Sequence, residues 1–293
     1  MKKRKRLFLI IPLIFVILIP LFIVFFISGY DTLKNVSYGN RAEEVVDIYI
    51  PRSAYRRESN GCVLFIHGGS WSSGDKKDKA WKCQMLANQG YVTASLSYSL
   101  FTEETTNTYD AWLVMEQISK ALVKIEDVCR QEGVNITSCA TAGYSAGAHL
   151  ALLYAYSCKD APLKVAFTAS LAGPADFTEE LWGSSYLGIA KILSSEEIND
   201  QTNKEELAEI MSSLSPVNYI TSDAPPTLLA YGGKDQLVNA GNGQAVYDKC
   251  SEYGVKCDYL FLKHSSHYMV EDLHLRLKYD YLLGKYCKTY FGY

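Results

Sequence analysis

Ser145 sits at the centre of Gly143-Tyr144-Ser145-Ala146-Gly147. A serine hydroxyl attacks a carbonyl well only when a neighbouring base takes its proton. The chain has five histidines that could be that base, His67, His149, His264, His267 and His274. His267, in Lys263-His264-Ser265-Ser266-His267-Tyr268-Met269, is the preferred base, with His264 its near competitor and His274 a distant one. His149 falls inside the apolar run after the serine and reads as a packed helix residue. An imidazole serves best when a carboxylate holds its tautomer. Asp235, in Gly232-Gly233-Lys234-Asp235, is the candidate for that role. The adjacent glycines of His67-Gly68-Gly69-Ser70-Trp71 leave backbone N–H groups open to a ligand oxygen. The amides of Gly68, Gly69 and Ala146 are the expected oxyanion hole. The chemistry would be acyl transfer to water, with Ser145, Asp235 and His267 catalytic and Trp71 and Tyr144 in contact with substrate. It needs no metal and no organic cofactor.

Each motif taken singly has a plainer reading: a small-residue strand-to-helix turn, a tight turn after a strand, a turn aspartate. Their setting argues for chemistry. Residues 62–66, 136–142, 227–231 and 257–262 are short apolar or β-branched runs, and each ends at one of these turns. Residues 148–156 have the length and Ala/Leu content of a buried helix. Strand-like runs at 45–50, 92–98 and 164–171 and helical patterns near 79–89 and 109–132 complete an alternation. That alternation predicts an α/β fold: a mostly parallel central sheet with helices on both faces. Turns at the carboxyl ends of such strands lie along the edge where open α/β sheets place their sites. The pattern breaks at 177–213, which reads as a small helical cap with helix starts at 194–197 and 203–206. Its apolar residues, Leu181, Trp182, Tyr186, Leu187, Ile189, Ile192 and Leu193, either line an acyl or alcohol pocket or pack the cap.

These residues resemble the α/β-hydrolase superfamily, and within it the esterase/lipase branch that includes hormone-sensitive-lipase-like carboxylesterases and small acetyl- and feruloyl-esterase-like proteins. The likeness rests on residues 67–71 with Gly74-Asp75-Lys76, on 143–152 (GYSAGAHLAL), on Ser215-Pro216 ahead of 225–229, and on Gly232, Asp235 and His267. It covers residues 40–290. The order serine, acid, histidine is that of this superfamily. The likeness implies a serine esterase working through an acyl-enzyme intermediate. Two stretches depart from the usual pattern: 264–269 lacks the glycine common near the histidine, and 97–100 reads Ser-Tyr-Ser-Leu where many members carry Tyr-Arg-Leu. Three other readings stay open: a peptidase or amidase on the same scaffold, a specialised hydrolase such as a carbohydrate deacetylase, feruloyl esterase or prenylcysteine methylesterase, and a non-catalytic binding protein.

The amino terminus bears on compartment. Residues 1–6 are a basic tail, and 7–28 are 22 residues without a charge. As a helix these would reach about 33 Å, enough to cross a bilayer once. The stretch is longer than a signal-peptide core and lacks a small-residue cleavage pattern, so it reads as an uncleaved transmembrane anchor. Basic residues ahead of it place the amino terminus in the cytoplasm and the catalytic part outside. Residues 29–44 read as a polar connector and 45–293 as one hydrolase domain. Net charge is −3 and no basic patch carries interleaved aromatics, which argues against nucleic acid. The expected partner is a small-molecule or polymer-linked ester. The eight cysteines show no C-x-x-C spacing for zinc, and their pairing stays open; Cys62 and Cys139 read as core residues. Two sequons, at Asn35 and Asn135, matter only in a eukaryotic secretory pathway.

Overall fold

The computed structural model describes residues 29–106, 108–199 and 201–293. The expected tail and anchor, 1–28, lie outside the described residues. Among the described residues no helix is long and apolar enough to cross a membrane. Eight strands form one sheet: β1 (Tyr30–Ser37), β2 (Val45–Pro51), β3 (Asn60–Ile66), β4 (Val92–Leu96), β5 (Ile136–Tyr144), β6 (Lys164–Leu171), β7 (Thr227–Gly232) and β8 (Cys257–Leu262). Their order across the sheet is β1-β2-β4-β3-β5-β6-β7-β8. β1 and β2 pair antiparallel, as do β2 and β4; all later pairings are parallel. β3 is buried at every position, as an apolar run in the middle of a doubly covered parallel sheet must be. Cys62 of β3 and Cys139 of β5 are register partners inside the core, and none of the eight cysteines is in a disulfide.

Helices α1 (Ala80–Asn88) and α8 (Leu273–Phe291) cover one face with Leu86, Ala87, Tyr279 and Leu283. Helices α2 (Ala111–Gln131), α3 (Ala146–Ser157) and α7 (Gly241–Glu252) cover the other. The amphipathic spacing of α2 explains its seat: Val114, Ile118, Ala121, Leu122, Ile125 and Cys129 are all buried on one side of the helix. Asp110 starts it, accepting the Leu113 amide at 2.6 Å.

Two expectations need correction. The polar connector at 29–44 is not slack chain, because residues 30–37 form β1 and pair with β2. An edge strand with one partner and an exposed side tolerates Asp31, Lys34 and Asn35, so it carries no apolar alternation to read. The segment between β6 and β7 holds α4 (Glu179–Trp182), α5 (Tyr186–Leu193) and α6 (Lys204–Ser213). The start expected at 194–197 is instead where α5 ends, since the apolar YLGIAKIL run forms the helix and Ser194 follows it. Asn203 does start α6, accepting the Glu205 amide at 3.1 Å. Ile189, Ala190 and Leu193 are buried in the core cluster of α2 and α3, and Trp182, Tyr186, Leu187 and Ile192 pack partly buried against it. They pack the insertion onto the core, and Tyr186 also lines a cavity beneath it.

Candidate active site

The turn between β5 and α3 holds Ser145 at φ 54° and ψ −126°, a positive-φ conformation that non-glycine residues avoid. Its amide donates to the Leu171 carbonyl of β6 at 2.9 Å, which helps hold the turn. The flanking glycines let helix and strand touch. A Cβ on Gly147 would lie 2.3 Å from the Ile66 and His67 carbonyl oxygens, and one on Gly143 would lie 2.2 Å from the Gly147 oxygen. Those obstacles are backbone and cannot rotate away. Gly147→Ala is therefore expected to cost about 3 kcal/mol or more of stability, read as a lowered urea midpoint; an unchanged midpoint would mean that α3 can lift off β3 freely.

The residues expected to react are brought together. The Ser145 Oγ donates to His267 Nε2 at 3.0 Å, and His267 Nδ1 donates to Asp235 Oδ2 at 2.7 Å. The other oxygen, Asp235 Oδ1, accepts the amides of Leu237 and Val238 at 2.8 and 2.9 Å. The Asp235 side chain has no exposed area, and that of His267 is 9% exposed. The carboxylate thus has fixed partners on both oxygens, and the ring between it and Ser145 has one orientation. His264 is set apart: its side chain is 64% exposed and its Nδ1 lies 3.0 Å from Asp272 Oδ1. His274 is on the exposed side of α8.

The loop after β3 comes up against the serine. A Cβ on Gly68 would stand 3.2 Å from the Ser145 Cβ and 2.6 Å from the Tyr144 oxygen. Among the described residues no protein acceptor takes the amides of Gly68, Gly69 or Ala146. Ser70 and Trp71 follow with φ of 51° and 59°, so this loop is held in a costly conformation. His67 holds its start. The buried ring stacks on Tyr98 with centroids 4.3 Å apart, its Nδ1 donates to the Gly68 carbonyl, and the Tyr98 hydroxyl donates to the His67 carbonyl at 2.9 Å. Farther along, Lys76 forms a buried ion pair with Asp47 of β2 at 2.9 Å, fixing the loop's exit.

Tyr144 and Trp71 make other contacts than those expected with substrate. The Tyr144 hydroxyl donates to the His267 carbonyl at 3.2 Å and its ring lies against the imidazole, so it props the histidine loop. Trp71 is 5% exposed, and its indole N–H donates to His149 Nδ1 at 3.1 Å. His149 Nε2 donates onward to the Leu214 carbonyl at 2.9 Å, just past α6. A histidine expected only to pack therefore joins the glycine loop after β3, the helix after Ser145 and the exit of the insertion. The signal available in the sequence is that His149 is a lone imidazole in an otherwise apolar helical run, and a buried polar group demands partners. Phe177 packs edge-on against His149 and also touches Trp71 and Trp182. It walls one side of a cavity of about 420 Å³ under the insertion, whose lining includes Asp176, Glu179, Tyr186 and Lys204.

Burial pushes the His149 imidazole down to about 4, with the Leu214 carbonyl opposing the shift. The surrounding groups are the Trp71 indole, the Phe177 ring and the Leu214 carbonyl, none of them charged. The unfolded chain takes up this proton near pH 6.5 and the folded chain does not. Stability is therefore full above about pH 6.5 and falls as pH drops toward 4, by on the order of 3 kcal/mol. His67, also lowered by burial, acts in the same direction. Urea midpoints at pH 7.5 and 4.5 measure the loss, and His149→Gln should remove much of it; an equal slope in that variant would assign the acid sensitivity elsewhere.

Likeness to other proteins agrees with this fold. The BD-FAE family profile matches residues 46–250. Esterase LipQ of Mycobacterium tuberculosis is 23% identical over 225 residues, covering 72% of this chain and 51% of that protein. The match spans from 6% to 57% of the length of such curated relatives. A truncated carbohydrate esterase from gut microbiota superposes with a TM-score of 0.69 at 13% identity, over 90% of this chain and 98% of that one. Esterase B of Lactobacillus Rhamnosis (HN001) does so with a TM-score of 0.68 at 20% identity, over 89% and 87%. An α/β-hydrolase fold whose Ser145 elbow, glycine loop and strands β3 to β7 fall within a single matching profile leaves one assignment: the chain belongs to the BD-FAE family, in the esterase/lipase branch of the α/β-hydrolases.

Proposed function

We propose that this chain is a serine hydrolase of carboxylic esters, held at a membrane by residues 7–28 with its catalytic domain outside the cytoplasm. The observation that carries the catalytic part is the unbroken line from Ser145 Oγ through His267 to Asp235, at 3.0 and 2.7 Å. In the proposed cycle His267 Nε2 takes the Ser145 proton as Oγ adds to the ester carbonyl. The carbonyl oxygen becomes an oxyanion between the amides of Gly68, Gly69 and Ala146, where α3 begins. His267 returns the proton to the leaving alcohol, and the acyl group stays on Ser145. Water then enters and adds to the acyl carbon as His267 takes its proton; His267 passes that proton to Ser145 Oγ as the acyl–oxygen bond breaks, which releases the acid and restores the serine. Asp235 keeps the imidazole in the tautomer that accepts at Nε2 throughout. The 22 uncharged residues after a basic tail support the anchor.

Matched substrates test the reaction class. The natural chain should hydrolyse p-nitrophenyl acetate or butyrate far faster than the corresponding p-nitroanilides. Faster anilide cleavage would favour an amidase, and no turnover of either would favour a binding protein on this scaffold.

A further inference from the structure

The strand at 30–37 constrains how the domain can meet a membrane. The uncharged stretch ends at Ser28, and β1 begins at Tyr30. Gly29 is already tied in, its carbonyl accepting the Arg52 amide at 3.1 Å, and Tyr30 is the register partner of Pro51. No slack linker separates the stretch from the sheet.

The position of that junction is fixed by strand register. Tyr49 pairs with Thr93 near the start of β4, and Cys62 of β3 pairs with Val92. Pro51 and Tyr30 therefore lie at the amino-terminal edge of the parallel strands. Every group of the site hangs from the opposite edge: Gly68 follows Ile66, Ser145 follows Tyr144, Asp235 follows Gly232, and His267 follows Leu262. Strands of six to nine residues put roughly 20–30 Å between the two edges.

The surface around the junction suits lipid headgroups. Arg52 and Arg56 are exposed, the Arg52 guanidinium lies 3.5 Å from where a Gly29 Cβ would be, and Tyr55 is 39% exposed. Arg57 stacks on Tyr293 beside them. Three acids lie close by: Glu58 follows in the chain, Asp31 accepts from the Tyr55 hydroxyl, and Glu132 at the end of α2 also acts electrostatically on Tyr55. Arginine and tyrosine at the end of a membrane span are the residues that settle in an interfacial layer, and the arginines favour anionic lipid.

The geometry points to a domain that stands on its own bilayer through a collar of Arg52, Tyr55 and Arg56, with the active site turned away from that bilayer. This rests on the anchor proposed above. It narrows the substrates to esters on soluble molecules or on polymers outside the membrane, and removes the acyl esters of the lipids beneath.

The test uses the full chain in vesicles of phosphatidylcholine and phosphatidylglycerol. A fluorophore is placed through Arg56→Cys, Tyr268→Cys or Tyr281→Cys, corrected for label taken up by the natural chain, and quenched by lipids with nitroxide headgroups. Quenching at 56 with none at 268 or 281 supports the collar. Quenching at 281 or 268 as strong as at 56 overturns it, because the domain would then lie on its α8 flank, where Leu273, Leu277 and Tyr281 are exposed. Release of the chain by alkaline carbonate overturns it too, by removing the anchor. In the same vesicles p-nitrophenyl butyrate should be hydrolysed while a fluorogenic phospholipid ester in the bilayer is not; hydrolysis of both at similar rates contradicts the posture. The quenching needs no turnover, so a failed esterase reading and a failed orientation are told apart.

Discussion

Ser145→Ala is expected to lower kcat for a short p-nitrophenyl ester by about 10⁴-fold or more, with KM changed little. The reason is local. The hydroxyl faces the His267 ring at 3.0 Å, and it stands beside Gly68 and at the start of α3. Alanine removes the atom that forms the acyl bond and leaves the donors for the oxyanion in place, so binding survives while the covalent route does not. The fold should survive as well: the turn is held by the Ser145 amide to Leu171 and by the glycine contacts of α3 on β3, none of which uses the hydroxyl. Steady-state kinetics and a urea melt on the same preparation check both halves. Turnover within tenfold of the natural chain would remove Ser145 from the chemistry.

Asp235→Asn should cost nearly as much, about 10⁴-fold in kcat, for a different reason. The carboxylate accepts from the histidine through one oxygen and from two backbone amides through the other. An asparagine can keep its carbonyl on the Leu237 and Val238 amides, which leaves its NH₂ facing His267 Nδ1. The imidazole must then accept there and carry its proton on Nε2, pointing at the serine that it should deprotonate. The shape is kept and the tautomer is wrong. Nitrogen NMR of the His267 ring should show that exchange of roles alongside the lost kcat. A variant with full activity would show that Asp235 merely closes a turn.

The parts of this molecule legible in its sequence are those in which one local signal is enough. The runs at 62–66 and 227–231 are apolar and end close to glycines, so β3 and β7, and the turns after them, stand out. The strand at 136–142 and the helix from 148 bracket Ser145 just as closely. β1 is not legible, because an edge strand needs no apolar face and its sequence, YDTLKNVS, shows none. In the insertion, the Ser-Glu-Glu start at 194–197 loses to the apolar run before it, which has a core to bury against. The choice between His264 and His267 rests on preference; three residues apart, one reaches Asp235 and the other turns out to Asp272. The Trp71–His149–Leu214 connection joins residues 78 and 65 apart in the chain, so only the folded molecule displays it. That connection also explains why the glycine loop can hold two consecutive residues in left-handed backbone: its indole is anchored in the helix that follows Ser145.

Ser145, activated by His267, should form a covalent intermediate with its substrate. Labelling the full chain with a fluorophosphonate and mapping the adduct by peptide mass tests this most directly. The expected result is one adduct, on the peptide containing Ser145, formed rapidly in the natural chain and only very slowly in His267→Ala. An adduct confined to another serine, or ester turnover that continues with Ser145 unmodified, would contradict it.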